Sequence, residues 1–577
     1  MKIKHLFGLA VIAAMSASCS SNEDLGTAGS GTGTNEAGVG YASFSINLPT
    51  TRGTRATDPT FEKGDANEYD VFNATLLVFK KGTTAGEGNY TLAETVDLGS
   101  MEPWKRSDET GVTTQAKITA KLSNVDKSDD YFALVLLNNG SGSDTDAKVT
   151  LPSEGDTFSA WNVANNANAT NFTDTKKGFY MANAPLYNAT DKSVTTLVAI
   201  DKNKIFPTEA QASSGEAAAD IYVERGLAKV TLTAATKDEK PVGGSTYTGD
   251  KVKISNWALD VTNKKTFPIH NVDGLSTDYE NIWKNEEAAT GPSTQRFVDN
   301  NPKTLVKRVY WGKDPNYDNT ALLNTDEAGK TARAAEFKYV TANTDVTADP
   351  TKPLYCLENT FNLENMKQGQ TTRVIFKASY TPNGFTAADG KTFYKVGTSV
   401  ALWKQQDLVD HIKAAVSKVF SVTTTDDIKI DLAADGNNIT TAGNHVITAA
   451  NFTVKGHDAV TEAEVKAVNE KVGLTQKAGI STYANGESYY IARIKHFGDD
   501  LTPWNSGETY NDNLKYLGRY GMLRNNWYEL EVNSVSGPGY PDVPEVKPNT
   551  PDDEDDKYIN VSVKILDWAK RSQSVDL

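Results

Sequence analysis

Alternation of apolar and polar residues dominates this chain. Ala42, Phe44, Ile46 and Leu48 alternate with small polar residues over 41–48, which predicts a strand with one buried face, and Pro49 ends it. Residues 74–79 are almost continuously apolar, 116–122 alternate in part, and 131–137 are wholly apolar. The last run predicts a central strand buried on both faces. Residues 179–182 predict another strand, and strands separated by turn-rich stretches predict a sandwich. A polar stretch around 207–220 reads as a linker. Beyond it, 221–225, 227–232, 257–261 and 371–378 form a second β-rich region. One helical period stands out over 400–419. Leu408, Ile412, Ala415, Val416 and Val419 recur there at three- and four-residue steps, predicting an amphipathic helix that packs on a sheet.

The C-terminal end repeats the pattern of the first strand. Gly537 to Pro541, Pro544, Pro548 and Pro551 break structure and lead into the acidic run Asp552 to Asp556, which reads as an extended, solvated linker. Ile559, Val561, Val563 and Ile565 then share one side of a strand. Leu566 and Trp568 have the opposite parity, so either a bulge follows Ile565 or the tail serves two faces. Directly after the first strand, the loop 50–59 holds Arg52 and Arg55 among small polar residues, a good protease target. A sandwich that loses its first strand exposes core and a row of unpaired backbone groups. A neighbouring molecule's tail can fill that gap by strand addition. Burial of four aliphatic side chains contributes on the order of 6–12 kcal/mol before entropy costs. Head-to-tail donation does not close on itself and builds an open filament. The same pattern is equally compatible with two terminal strands that pair with each other inside one molecule.

The first residues are an address. Lys2, Lys4 and His5 precede a short apolar stretch, 6–15, and small residues lead to Cys19. The stretch is too short to cross a bilayer, so it is a secretory signal. A Cys directly after small residues resembles a bacterial lipoprotein signal, in which Cys19 becomes the lipidated N-terminus. Ser16 stands where such signals usually carry Leu. Ser20 to Asp24 is similar to the short acidic tag of surface-exposed Bacteroidetes lipoproteins. The Gly/Thr/Ser-rich residues 25–38 form a tether; their Gly-x-Gly spacing follows no strand and opens no helix, so it carries no nucleotide meaning.

Composition narrows the reading further. A chain of 577 residues is too long for one core and predicts two or three domains. The net charge of -15 argues against nucleic acid as a main partner. There are only 2 cysteines, Cys19 and Cys356. Cys356 sits in an apolar run and reads as a small buried side chain.

Catalytic signatures are scarce. Past the signal the histidines are His270, His411, His445, His457 and His496, and none has metal-type spacing. No Cys-x-x-Cys, Gly-x-Ser-x-Gly or P-loop is present, so no enzyme, cofactor or metal is expected. Asp144, Asp146 and the run 552–556 read as solvated loops rather than Ca²⁺ sites. A second hypothesis is a monomeric, tethered surface lipoprotein that binds glycan or protein through aromatics such as Trp504, Tyr510 and Trp527. Proteolytic maturation separates the two: a binder keeps its lipid and first strand.

Several motifs behind that signal resemble a known family. They are Ile221-Tyr222-Val223-Glu224-Arg225 with Ala228-Lys229-Val230, and Tyr310-Trp311-Gly312-Lys313-Asp314-Pro315-Asn316-Tyr317. Tyr355-Cys356-Leu357-Glu358-Asn359-Thr360-Phe361 follows, with Thr371-Thr372-Arg373-Val374. Then come Tyr516-Leu517-Gly518-Arg519-Tyr520-Gly521, Arg524-Asn525-Asn526-Trp527-Tyr528-Glu529-Leu530, 533–539 and Ile565-Leu566-Asp567-Trp568. Over essentially the whole chain this resembles the Bacteroidales fimbrial major subunit family, the type V pilins, of the minor-fimbrium type. The resemblance implies a mainly β protein: two tandem transthyretin-like β-sandwich domains, a few short helices and a C-terminal donor strand. The expected organisation is a lipoprotein signal at 1–18, a propeptide with tether and removable strand at 19–55, domains at 56–220 and 221–540, a Pro/acidic linker at 541–557 and a donor tail at 558–577.

Members of that family are exported as lipoproteins to the outer membrane and cut by an Arg-specific protease, which releases the lipid and first strand. Carried onto this chain, Cys19 is the palmitoylated lipid site. Arg55 is the preferred cleavage residue, with Arg52 second, and Ala56 is the mature N-terminus. Ala42, Phe44, Ile46 and Leu48 belong to the removed strand; Ile559, Val561, Val563, Ile565 and Trp568 belong to the donor. Implied partners are copies of the chain head to tail in a fimbrium on the cell surface, anchor and tip pilins, the protease, and the outer membrane before cleavage. A tip needs no donor tail and an anchor needs no cleavage loop, so a shaft subunit supporting adhesion is favoured, with the anchor subunit as the alternative.

Overall fold

The structure, a computed structural model, describes residues 33–48, 65–99, 115–126, 128–140, 147–164, 167–168, 172, 177–188, 190, 193–274, 306–457, 459–475, 477–497, 502 and 516–553, and the backbone of 559–566. The fold is mainly β, as expected. Strands β1 (Gly40–Asn47), β2 (Ala74–Lys80), β3 (Thr91–Asp97), β4 (Gln115–Leu122), β5 (Tyr131–Leu137), β6 (Met181–Asn183) and β7 (Ala219–Arg225) form the first sheet. Their order is β3-β2-β5-β6-β7-β1-β4. β7 joins two halves of this sheet: 219–222 pair in parallel with β1, and 223–225 pair antiparallel with β6. Inward side chains from both halves share one core, where Phe44, Ile46 and Leu122 meet Leu76, Val78, Val135 and Leu137. β2 and β5 bury their other faces too, as their apolar runs require. Leu77, Phe79, Leu134 and Leu136 pack there with Phe158, Trp161, Phe179 and Tyr180.

At Gly226 the chain changes sheet. Residues 220 and 221, where the second domain was expected to begin, lie within β7, and the change of sheet follows at Gly226. A β-carbon at 226 would lie 2.7 Å from the Phe172 ring. β8 (Leu227–Leu232), β9 (Lys251–Asp260), β10 (Leu354–Leu357), β11 (Arg373–Thr381), β12 (Glu487–Arg493), β13 (Trp527–Val535) and β14 (Ile559–Leu566) follow. They form two sheets, one ordered β10-β8-β13-β14 and the other carrying β9-β11-β12. Val230, Tyr528, Leu530 and Val532 of the first meet Trp257, Phe376 and Tyr490 of the second, which makes a sandwich.

Three readings change against this frame. The polar stretch 207–220 is not a linker: it forms helix α1 (Glu209–Ser214), capped by Thr208, and then enters β7. Ala212 of that helix is fully buried against the first strand, which is why so polar a segment folds. The predicted amphipathic helix exists as α2 (Gln405–Phe420), with Leu408, Ile412, Ala415 and Val416 buried. It packs on strands, as expected, but on short ones at 393–396, 428–430, 452–454 and 480–483, and also on a second helix that was not expected, α3 (Glu462–Val472). These make a lobe inserted between β11 and β12, joined to the sandwich core through Phe393 and Tyr483. Third, residues 537–553 are not a solvated linker; the contacts that hold them are given below. Among the described residues no helix is long and apolar enough to cross a membrane.

Candidate functional site

The site begins with alternation in β1. Ala42, Phe44 and Ile46 are 0% exposed and Leu48 2%, all on the core side, as their spacing predicts. The opposite parity is covered as well. Ser43 is also 0% exposed; its hydroxyl donates to the Ala212 carbonyl of α1 (2.7 Å) and lies 2.8 Å from Thr119 Oγ1. Asn47 Nδ2 donates to Asp220 Oδ1 (2.6 Å) and to the Ile221 carbonyl (3.0 Å). Tyr41 and Phe206 exchange backbone hydrogen bonds at 2.7 and 2.8 Å. Gly40 lets the strand pass under this segment, since a β-carbon there would come within 2.6 Å of Ile205 Cγ2.

β1 is therefore an interior strand. It pairs antiparallel with β4 along its whole length, Gly40 opposite Leu122 to Asn47 opposite Gln115, and in parallel with β7. Among the described residues, the ladder of β4 runs to β1 alone. Removing β1 would open a slot with unpaired backbone on both walls and withdraw three large apolar side chains and Ala42. That amounts to about 5–10 kcal/mol of burial, comparable with the total stability of a domain.

Arg52 and Arg55, the predicted cleavage residues, lie in 49–64, outside the described residues, as do Cys19, Trp568, Trp504 and Tyr510. Leu48, the last described residue before that segment, is buried in the core. After the segment, Glu68 is fixed by Lys229 Nζ (2.5 Å to Oε1) and by Arg225 Nη2 donating to its carbonyl (3.1 Å).

The second predicted element, β14, pairs antiparallel with β13 of its own chain, Ile559 opposite Val535 to Leu566 opposite Trp527. The two terminal strands thus do not pair with each other. Among the described residues, β14 is the edge strand of its sheet, with a single ladder. Of the two alternatives for the change of parity, a bulge between Ile565 and Leu566 is not the one observed. The register shift lies in the partner, between Val532 and Ser534, and pairing continues through Leu566.

The segment leading to β14 is strapped to the sandwich. Tyr540 exchanges backbone hydrogen bonds with Tyr489 at 2.8 and 2.9 Å. Arg373, 2% exposed, donates to the Pro544 carbonyl (2.7 Å) and to Asp260 (2.7 Å). The Thr550 carbonyl accepts from Gln368 N (2.9 Å). Thr371 donates to Asp552 (2.6 Å), and Asp553 takes a two-pronged contact from Arg519, 2.7 Å from Nη2 and 2.9 Å from Nε, with Tyr520 donating at 2.7 Å. Prolines and acids looked like solvated chain only because their buried partners lie far away in sequence.

Other polar candidates serve the frame. His270 sits 2.8 Å from Glu224 and 3.4 Å from Glu358, and Arg308 and Arg524 complete a buried cluster that ties the first sheet to the sandwich. Burial pushes the Glu224 carboxyl up, but His270, Arg308 and Arg524 outweigh it and hold it below the usual range. His496 bonds Tyr528, His411 and His445 bond backbone carbonyls, and His457 packs on Phe420. Cys356 is buried, and burial pushes its thiol up to about 12. Among the described residues no group of three or more His, Cys, Asp or Glu is placed to hold a metal. Sequence reasoning missed Ser43, Asn47, Asp220 and Ala212 as parts of the slot. Ser43 and Asn47 stand on the polar parity of β1, and that parity offers no signal that it is covered.

Fold and site together define a mainly β chain whose first sheet is completed by its own N-terminal strand and whose last strand sits at a sheet edge. Residues 481–574, which span β12, β13, the strap and β14, match the family described as major fimbrial subunit protein type IV, fimbrillin, C-terminal. That similarity lies in the C-terminal region. Among solved structures, a candidate cell adhesion protein from Parabacteroides distasonis is similar at 12% identity, covering 92% of this chain and 98% of that one, with a TM-score of 0.36. No curated protein matches the chain.

Proposed function

We propose that this chain is a pilus shaft subunit that supports adhesion. In this reading it is exported as a lipoprotein through Cys19 and cut at the cell surface after Arg55 or Arg52. It then polymerises head to tail by strand exchange, with 558–568 of one copy filling the slot of the next. The observation that carries the reading is the place of β1: an interior strand, wholly buried on its apolar side, directly followed in sequence by Arg52 and Arg55. The fimbrillin match to 481–574 supports a pilus role because it includes the strand proposed to be donated.

The direction of exchange follows from the ladders. Among the described residues of its own chain, β14 has one neighbour, β13. In the slot it would have two, β4 and β7, and each additional net hydrogen bond contributes about 0.5–1.5 kcal/mol. A subunit that keeps β1 has no open slot, so cleavage gates assembly. The test is limited trypsin digestion of the precursor made without its signal, read by N-terminal mass spectrometry and negative-stain microscopy. One fast cut after Arg55 or Arg52 should convert monomers to filaments, and deletion of 558–577 should abolish them. Slow, scattered cleavage that leaves monomers would overturn the reading in favour of a tethered binding lipoprotein.

A further inference from the structure

We infer that the donor enters the slot of a second copy in the direction of β1 and in a single register, locked by Lys564 against Asp220. This rests on the strand-exchange reading above. The two strands match position by position in sequence. Tyr41-Ala42-Ser43-Phe44-Ser45-Ile46-Asn47-Leu48 stands beside Tyr558-Ile559-Asn560-Val561-Ser562-Val563-Lys564-Ile565, with Tyr and Ser repeated in place. The inward quartets, Ala/Phe/Ile/Leu and Ile/Val/Val/Ile, have nearly the same summed volume, the kind of exchange a packed core tolerates best.

Other placements fail on named positions. A shift by one residue turns the apolar face outward. A shift by two in one direction puts Lys557 at the place of Ala42; in the other it puts Asp567 at the place of Leu48. Those places are 0% and 2% exposed, and a charge buried there has no partner on the core side. Reversing the strand keeps the apolar face inward but brings Lys564 to the place of Ser43, which is 0% exposed. There it would crowd Lys117, whose ammonium already donates to the Ser213 carbonyl at 2.8 Å.

The forward register solves both polar positions. Asn560 at the place of Ser43 brings an N–H donor to the Ala212 carbonyl that Ser43 now serves. Lys564 at the place of Asn47 meets the Asp220 carboxylate, which now accepts from Asn47 Nδ2 at 2.6 Å and from the Tyr222 hydroxyl at 2.7 Å. Asp220 is exposed, so the lysine stem lies along the slot while its ammonium reaches water and the carboxylate together. Gly40 sets the other limit: Lys557 falls at its place, where a β-carbon meets Ile205, so the donor turns away ahead of Tyr558.

The test uses two precursors without the signal, mixed and co-assembled with trypsin. One carries Lys564→Cys; the other carries Gln115→Cys or Thr119→Cys. Gln115 faces Asn47 and Thr119 faces Ser43 across the same antiparallel ladder, so both report with equal geometry. The expected result is an inter-subunit disulfide to Gln115→Cys and none to Thr119→Cys. A disulfide to Thr119→Cys alone would overturn the direction while leaving strand exchange intact. Filaments that form with neither disulfide would overturn the register. Filaments that persist after deletion of 558–577 would overturn strand exchange itself. In a separate arm, Lys564→Glu should slow assembly about two- to five-fold, and Asp220→Lys in the receiving copy should restore it. Equal rates across these variants would overturn the Lys564–Asp220 lock.

Discussion

Phe44→Ala distinguishes a strand that is discarded from one that is kept. Phe44 is fully buried in the core shared by both halves of the first sheet. Truncating a buried Phe costs about 3–5 kcal/mol. For a domain of this size class each kcal/mol lowers the melting temperature by about 2–4 °C. The first-sheet domain of the precursor should therefore melt about 6–20 °C lower, read by circular dichroism or differential scanning calorimetry. Filaments assembled from the same variant should melt as wild type, because the altered strand has left. If departure of β1 limits assembly, filaments should also form faster, by as much as about 10²–10⁴-fold after cleavage. Val561→Ala should do the reverse, sparing the first-sheet domain of the precursor and weakening the filament by about 1.5–3 kcal/mol. If Phe44→Ala weakens filament and precursor alike, β1 remains in the filament and the reasoning fails.

Three further outcomes follow from the same geometry. Cleaving a variant that lacks 558–577 should leave the excised N-terminal peptide bound, because losing it removes about 5–10 kcal/mol of burial; native mass spectrometry should find body and peptide together, and a body that sheds the peptide yet keeps its melting temperature would contradict this. Asp553→Ala leaves Arg519 buried without its carboxylate, a loss of about 3–5 kcal/mol, and should speed amide exchange across 541–553; unchanged protection there would show that the strap does not depend on this contact. Burial pushes Glu87 up to about 7 against the Leu197 and Thr196 N–H groups that bond its carboxylate. Its folded value lies above its unfolded one, so the stabilisation is complete below about pH 4.5 and is lost as pH rises through about 7. Asp314, also raised to about 7 by burial, acts with the same sign. Glu87→Gln should therefore flatten, without abolishing, the fall of a few kcal/mol in unfolding free energy between pH 4.5 and 8; an unchanged slope would refute the assignment.

The strands of both chain ends were legible from period two alone, because one face of each is apolar and the other polar. The interior place of β1 was not: its polar parity, Ser43 and Asn47, looks solvent-facing, yet Ala212 and Asp220 cover it from elsewhere in the chain. The same physics hid the strap over 537–553. Its acids and carbonyls are satisfied by Arg373 and Arg519, and nothing local announces a buried guanidinium. The lobe between β11 and β12 escaped because its strands are only three or four residues long, too short for a period to show. The step at Gly226 was blurred by apolar residues that run on across it.

The central claim concerns which strand fills the slot between β4 and β7 in an assembled filament. A cryo-EM map of trypsin-matured filaments reads this directly from side-chain density. The account predicts residues 559–565 of a neighbouring copy there, with no density for 41–48. Density for Phe44 and Ile46 of the same chain in that slot would contradict it.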